Sequence, residues 1–86
     1  MSKTPFQDLA PTAPSLTEYD RVQCGAYLRL LDAEEAGADW REVAAIVFGV
    51  DPVQEPKRSE AMYASHLARA HWMSRQGYRD LVWPKP

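Results

Sequence analysis

Few side chains in this sequence have the chemistry for catalysis or metal binding, and their spacing argues against both. His66 and His71 stand five residues apart. That places them off a common helical face, whereas two ligands on one helix stand three or four apart. Cys24 is the only cysteine, so neither an internal disulfide nor a cysteine-based zinc cluster forms within the chain. It reads as a small helix residue at a packing contact rather than a reactive thiol. Glu34 and Glu35 are adjacent and point about 100° apart on a helix, so they make a solvated acidic face and not a carboxylate pair. No Gly-rich phosphate loop, nucleophile elbow or paired-histidine motif occurs. The expectation is a protein with no enzymatic activity, no cofactor and no metal.

The remaining chemistry is recognition. Arg58, Ser65, His66 and Arg69 share one face of a helical stretch, and Arg and Ser contact bases or phosphates. They form the candidate DNA-facing set. The same face reads equally as solvated helix surface, and Glu55 and Glu60 near its start would stand close to phosphates. Cys24, Tyr27, Leu28 and Leu31 form a second arc and the candidate partner-binding set, with Asp32, Glu34 and Glu35 as an acidic rim. Burial against the arm or the C-terminal tail competes with that reading, more for Tyr27 than for Leu28. Trp83 joins the set as a core plug or an exposed anchor. Trp40 and Trp72 sit on core stripes.

Charge separates the halves of the chain. Residues 15–53 carry eight acidic and three basic side chains, net −5; residues 54–79 carry five basic and two acidic, net +3; the whole is −2. Phosphate neutralisation supplies most of the affinity of an autonomous DNA-binding domain, which therefore shows a basic excess. Here a weak basic patch lies beside a strongly acidic half.

The elements that must position these groups follow from caps and periodicity. With 86 residues, 45% of them apolar, the chain reads as one small domain burying only about 60% of its unfolded surface. Residues 1–15, with three prolines, read as a flexible N-terminal arm, residues 16–83 as the folded domain and 84–86 as a tail. A first helix is expected from the Thr17 cap to Ala36, stopped by Gly37, with Tyr19, Val22, Ala26, Leu30 and Ala33 on one stripe. GADWREVAAIVFG, residues 37–49, carries a second: Asp39 caps it, Glu42 completes a capping box, and Gly49 ends it. Pro52 and Pro56 break the chain through VDPVQEP. A third helix runs from Pro56 to about Gln76, with Ala61, Ala64, Ala68 and Trp72 as its packing stripe. After Gly77, YRDLVW makes a short turn that folds Tyr78 and Leu81 onto the core. No strand pattern appears, so the fold class is all-α: a small three- to four-helix domain, a helix-turn-helix variant with an extended turn. The longest apolar run, residues 43–50, falls short of a membrane span, and no secretory signal opens the chain. The protein reads as cytoplasmic, without membrane association.

LTEYDR, YLRLLDAEEAGADWREVA, IVFGVDP, SHLARAHWM and GYRDLV, in this order, resemble a bacterial domain family long catalogued as of unknown function. The resemblance covers roughly residues 15–83. It implies a helix-turn-helix variant with an extended turn, the DNA-binding half of transcriptional activators of conjugative-element excision and transfer. The chain is similar to the stand-alone, QseM-like antiactivators of that family, having no room for the activators' preceding domain and being acidic where DNA-binding relatives are basic. The resemblance implies that the partners are transcriptional activators of conjugative transfer, with a TraR-type quorum-sensing regulator among them. DNA binding is then weak or absent, and the chain is expected to be a monomer. The alternative is a DNA-binding helix-turn-helix regulator.

Overall fold

The computed structural model describes residues 6–77. Within them the chain is all-helical, without a strand. α1 spans Glu18–Val22, α2 Cys24–Glu35, α3 Trp40–Val43 and α4 Pro56–Trp72. α3 widens into a π turn at Ala44–Phe48, and α4 into one at Met73–Gly77. Residues 78–83, where a turn and the Trp83 anchor were expected, lie outside the described residues.

Local signals place most of these ends. The Thr17 side chain accepts from Asp20 N while the Asp20 side chain accepts from Thr17 N, a closed capping box that satisfies two orphan donors. Gly37 and Gly49 take φ of 77° and 74°, the left-handed stop that glycine adopts at least cost. Asp39 caps α3 by accepting from Arg41 N at 3.4 Å, but no reciprocal bond from Glu42 closes the expected box. The single first helix is instead two. At Gln23 the backbone turns to φ −95°, ψ 14°, and Gly25 stands two residues on. Helix-type bonds continue on both sides, from Gln23 N to Tyr19 O and from Tyr27 N to Gln23 O.

Residues 49–55 join α3 to α4. Asp51 Oδ1 accepts from Val53 N and Gln54 N, so its side chain substitutes for a backbone acceptor in an Asx turn. This connection is longer than the three or four residues of an ordinary helix-turn-helix. α4 packs across α2 and against α3 with its π turn. Tyr27, Ala70 and Met73 form the buried cluster, with Leu16, Cys24, Leu31 and Trp72 partly buried against it.

Two expectations reverse. α4 buries Ser59, Met62, His66, Arg69 and Ala70, while Ala61, Ala64 and Ala68 are exposed. The alanine stripe faces solvent and the polar-looking face is the core. The arm is also no free tail across residues 6–15. Gln7 N donates to Tyr19 Oη at 2.9 Å and Ala10 N to Ser65 Oγ at 3.0 Å. Arg69 donates to Ala13 O and Ser15 O at 2.8 and 3.1 Å. The Phe6 ring meets Phe48 edge-on at 4.7 Å. The arm runs over α4 as a strap.

Candidate functional site

The reversal follows from one buried ion pair. Asp20 is 0% and Arg69 5% exposed. Arg69 Nη2 donates to Asp20 Oδ2 at 2.7 Å and Nε to Oδ1 at 3.0 Å, a two-pronged pair. Tyr27 Oη donates to Oδ1 at 2.7 Å, and Thr17 donates to Oδ2 through its amide and its hydroxyl. The two Arg69 bonds to arm carbonyls complete the set, and its guanidinium lies 3.9 Å from the centroid of the Trp72 ring. A buried charge survives only when paired and hydrogen-bonded. Burial pushes the Asp20 carboxyl up, but the bonds from Arg69, Thr17 and Tyr27 outweigh it and hold the group at about 2. Burial, and then donation to that carboxylate, pushes the Tyr27 hydroxyl well above its ordinary value.

His66 lies beside this pair, fully buried. Its Nδ1 is 2.7 Å from Met62 O, and a carbonyl only accepts, so Nδ1 carries the proton. Nε2 then accepts from Tyr19 Oη at 2.7 Å. Rings of Phe48, Tyr19 and Phe6 surround it at 4.9, 5.8 and 6.0 Å. Burial lowers its pKa, against the opposing pull of the Met62 carbonyl and Asp20. His66 is a neutral core histidine.

The candidate DNA-facing set is therefore corrected. His66 and Arg69 are interior, and Ser65 is half-buried beneath the arm. Arg58 alone is exposed, and its guanidinium is held by Asp8 and Glu55, each at 3.0 Å. These four residues do not present one surface. The outward side of α4 shows Lys57, Glu60, Ala61, Ala64 and Ala68 instead. His71, half-buried near the end of α4, contacts Glu34 of α2 at 2.7 Å.

The candidate partner-binding arc divides. Tyr27 is core, 1% exposed, because its hydroxyl is committed to Asp20; Leu28 is 53% exposed. Cys24 and Leu31 are intermediate and pack on the buried cluster. Trp83 lies outside the described residues. Between α2 and the end of α4 runs an apolar groove of about 120 Å³, lined by Tyr27, Leu28, Leu31, Ala70, Met73 and Ser74. A second apolar groove, between α2 and α3, has Arg29, Glu42 and the exposed Ile46 on its lining. Ile46 stands off the apolar stripe of Trp40, Val43, Ala44, Val47 and Phe48, and the sequence reading gives it no role. Among the described residues no group of three or more His, Cys, Asp or Glu is placed to hold a metal ion, and no helix is long and apolar enough to cross a membrane.

A short all-helical unit with a long connection between its last two helices is a helix-turn-helix variant, the class to which transcription regulators' DNA-binding domains belong. The family model described as T6SS, transcription factor, DNA-binding domain (RovC_DNA-bd) matches residues 4–82. The chain belongs to that family. No curated protein matches it.

Proposed function

We infer that this member of a DNA-binding family regulates transcription by binding protein. It acts as a QseM-like antiactivator that occupies an activator of conjugative-element transfer, a TraR-type regulator being a further partner. The observation that carries the reading is the charge of the surface. Among the described residues, ten exposed carboxylate side chains stand against six exposed cations. Of those cations, Arg21, Arg41 and Arg58 already pair with carboxylates. Arg69, one of the candidate DNA-facing cations of α4, is sealed inside with Asp20. Phosphate contacts supply the bulk of protein–DNA affinity, so a unit of this shape with this surface favours polypeptide partners.

The second reading, a regulator whose α4 enters the major groove, is supported by the family match itself, since the family is one of DNA-binding domains. Lys57 and Arg58 at the start of α4 are then the contacts. Mobility shift of the full chain on promoter duplexes at low and moderate salt, paired with an activator-driven reporter, separates the two. The antiactivator reading expects repression of the reporter and no sequence-selective shift. Tight, salt-steep, selective binding by the isolated chain overturns it.

A further inference from the structure

The apolar groove between α2 and the end of α4 has an electrostatic setting that the fold itself does not need. Its floor is closed by Tyr27, Ala70 and Met73, all under 4% exposed, while Leu28 on its wall stays 53% exposed. Leu28 shares the outward side of α2 with Asp32 and Glu35, one and two turns further on, both exposed. Glu34 lies in the same last turn. No basic residue stands in that turn. A helix C-terminus is the negative end of its dipole, where cations stabilise and carboxylates do the opposite. Among the described residues only Glu34 has a partner there, His71 across on α4. Among the described residues α2 thus ends in negative charge that no basic side chain of its own last turn offsets, beside an apolar slot.

We propose that this groove is the docking site for a basic amphipathic helix of a partner protein. One apolar side chain enters between Leu28, Leu31 and Met73, and flanking Lys or Arg side chains meet Asp32, Glu34 and Glu35. This rests on the protein-binding reading above and names its surface. The apolar contact supplies affinity through removal of Leu28, and of the part of Leu31 still exposed, from water. The charges supply orientation and encounter rate, and exclude both nucleic acid and acidic segments.

The test is isotope-edited NMR of the full chain titrated with a synthetic helix of about five turns, Leu on one face and Lys on the other. A Leu/Glu helix of the same pattern serves as control. The expected result is that the Leu/Lys helix shifts the amide signals of residues 27–35 and 70–74. Its affinity drops about tenfold in Leu28→Asp and again in Asp32→Lys/Glu35→Lys, and falls as salt rises. Far-UV circular dichroism confirms that each variant stays helical. Shifts confined to α3 or the outer side of α4 overturn the proposal, as do equal binding of the Leu/Glu helix and concentration-dependent shifts at the groove without peptide, which mean a second copy. An activator whose capture survives both variants overturns the groove and leaves the protein-binding reading standing. Absence of any captured activator, with selective duplex binding, overturns that reading instead.

Discussion

Replacing Asp20 by Asn keeps the shape of the side chain and removes its charge, leaving the Arg69 guanidinium at 5% exposure without a counter-ion. The folded carboxyl titrates at about 2 against an ordinary value of 3.8. At ~1.4 kcal/mol for each pH unit, the ionised form alone contributes about 2 kcal/mol. An orphaned buried cation raises the loss to about 3–5 kcal/mol. A domain of this length has roughly 4–13 kcal/mol in all. Urea denaturation followed by circular dichroism at pH 7 should therefore show a midpoint lowered by about a quarter or more, with an unchanged slope. The pH dependence carries a second signature. A carboxyl with a depressed folded pKa gives stability that is present above 3.8 and lost as pH falls from 3.8 towards 2. That window should vanish in Asp20→Asn. His66 acts separately, because its neutral form is preferred in the folded state. The unfolded chain takes up the proton first, so stability declines as pH falls below 6.5, in both proteins. Asp20→Leu with Arg69→Met should recover only part of the loss, since it removes the buried charges but leaves Tyr27 Oη and the Thr17 donors without their acceptor. A loss under about 1 kcal/mol for Asp20→Asn, or an unaltered acid window, refutes the account of how α4 is oriented.

Two further outcomes follow from local chemistry. Among the described residues Ser59 Oγ is buried without a hydrogen-bond partner, so Ser59→Ala should leave thermal stability equal or raise it by about 1 kcal/mol; a large drop means the hydroxyl has a use. A Cβ at Gly49 meets nothing within 4 Å, so Gly49→Ala should cost only the left-handed backbone term, about 1–2 kcal/mol, read from the urea midpoint.

What could be read from sequence was what short-range chemistry decides. Thr17, Gly37, Gly49 and Pro56 mark their boundaries because caps and stops act within four residues. The orientation of α4 was not legible, because it is set by a partner 49 residues away. A pattern scored on hydropathy sends Ser59, His66 and Arg69 outward. Met62 and Met73 on the same face, and Asp20 one helical repeat before Tyr27, were the available hints. The Gln23 break was hidden because both its flanking helices keep their bonds. The exposed groove was half legible: the arc of Cys24, Leu28 and Leu31 was found, but its depth depends on Met73 and Ala70, brought in by the same long-range pair.

The strap across α4 is fastened mostly by amide and carbonyl groups of Gln7, Ala10, Ala13 and Ser15. Every residue type except proline has both groups, so, Phe6, Asp8 and the buried Ala10 apart, this stretch can exchange its side chains and still clasp the same helix. A fragment trimmed at residue 16 would lose an outer wall of the protein's own interior, leaving Arg69 and the His66 ring open to water.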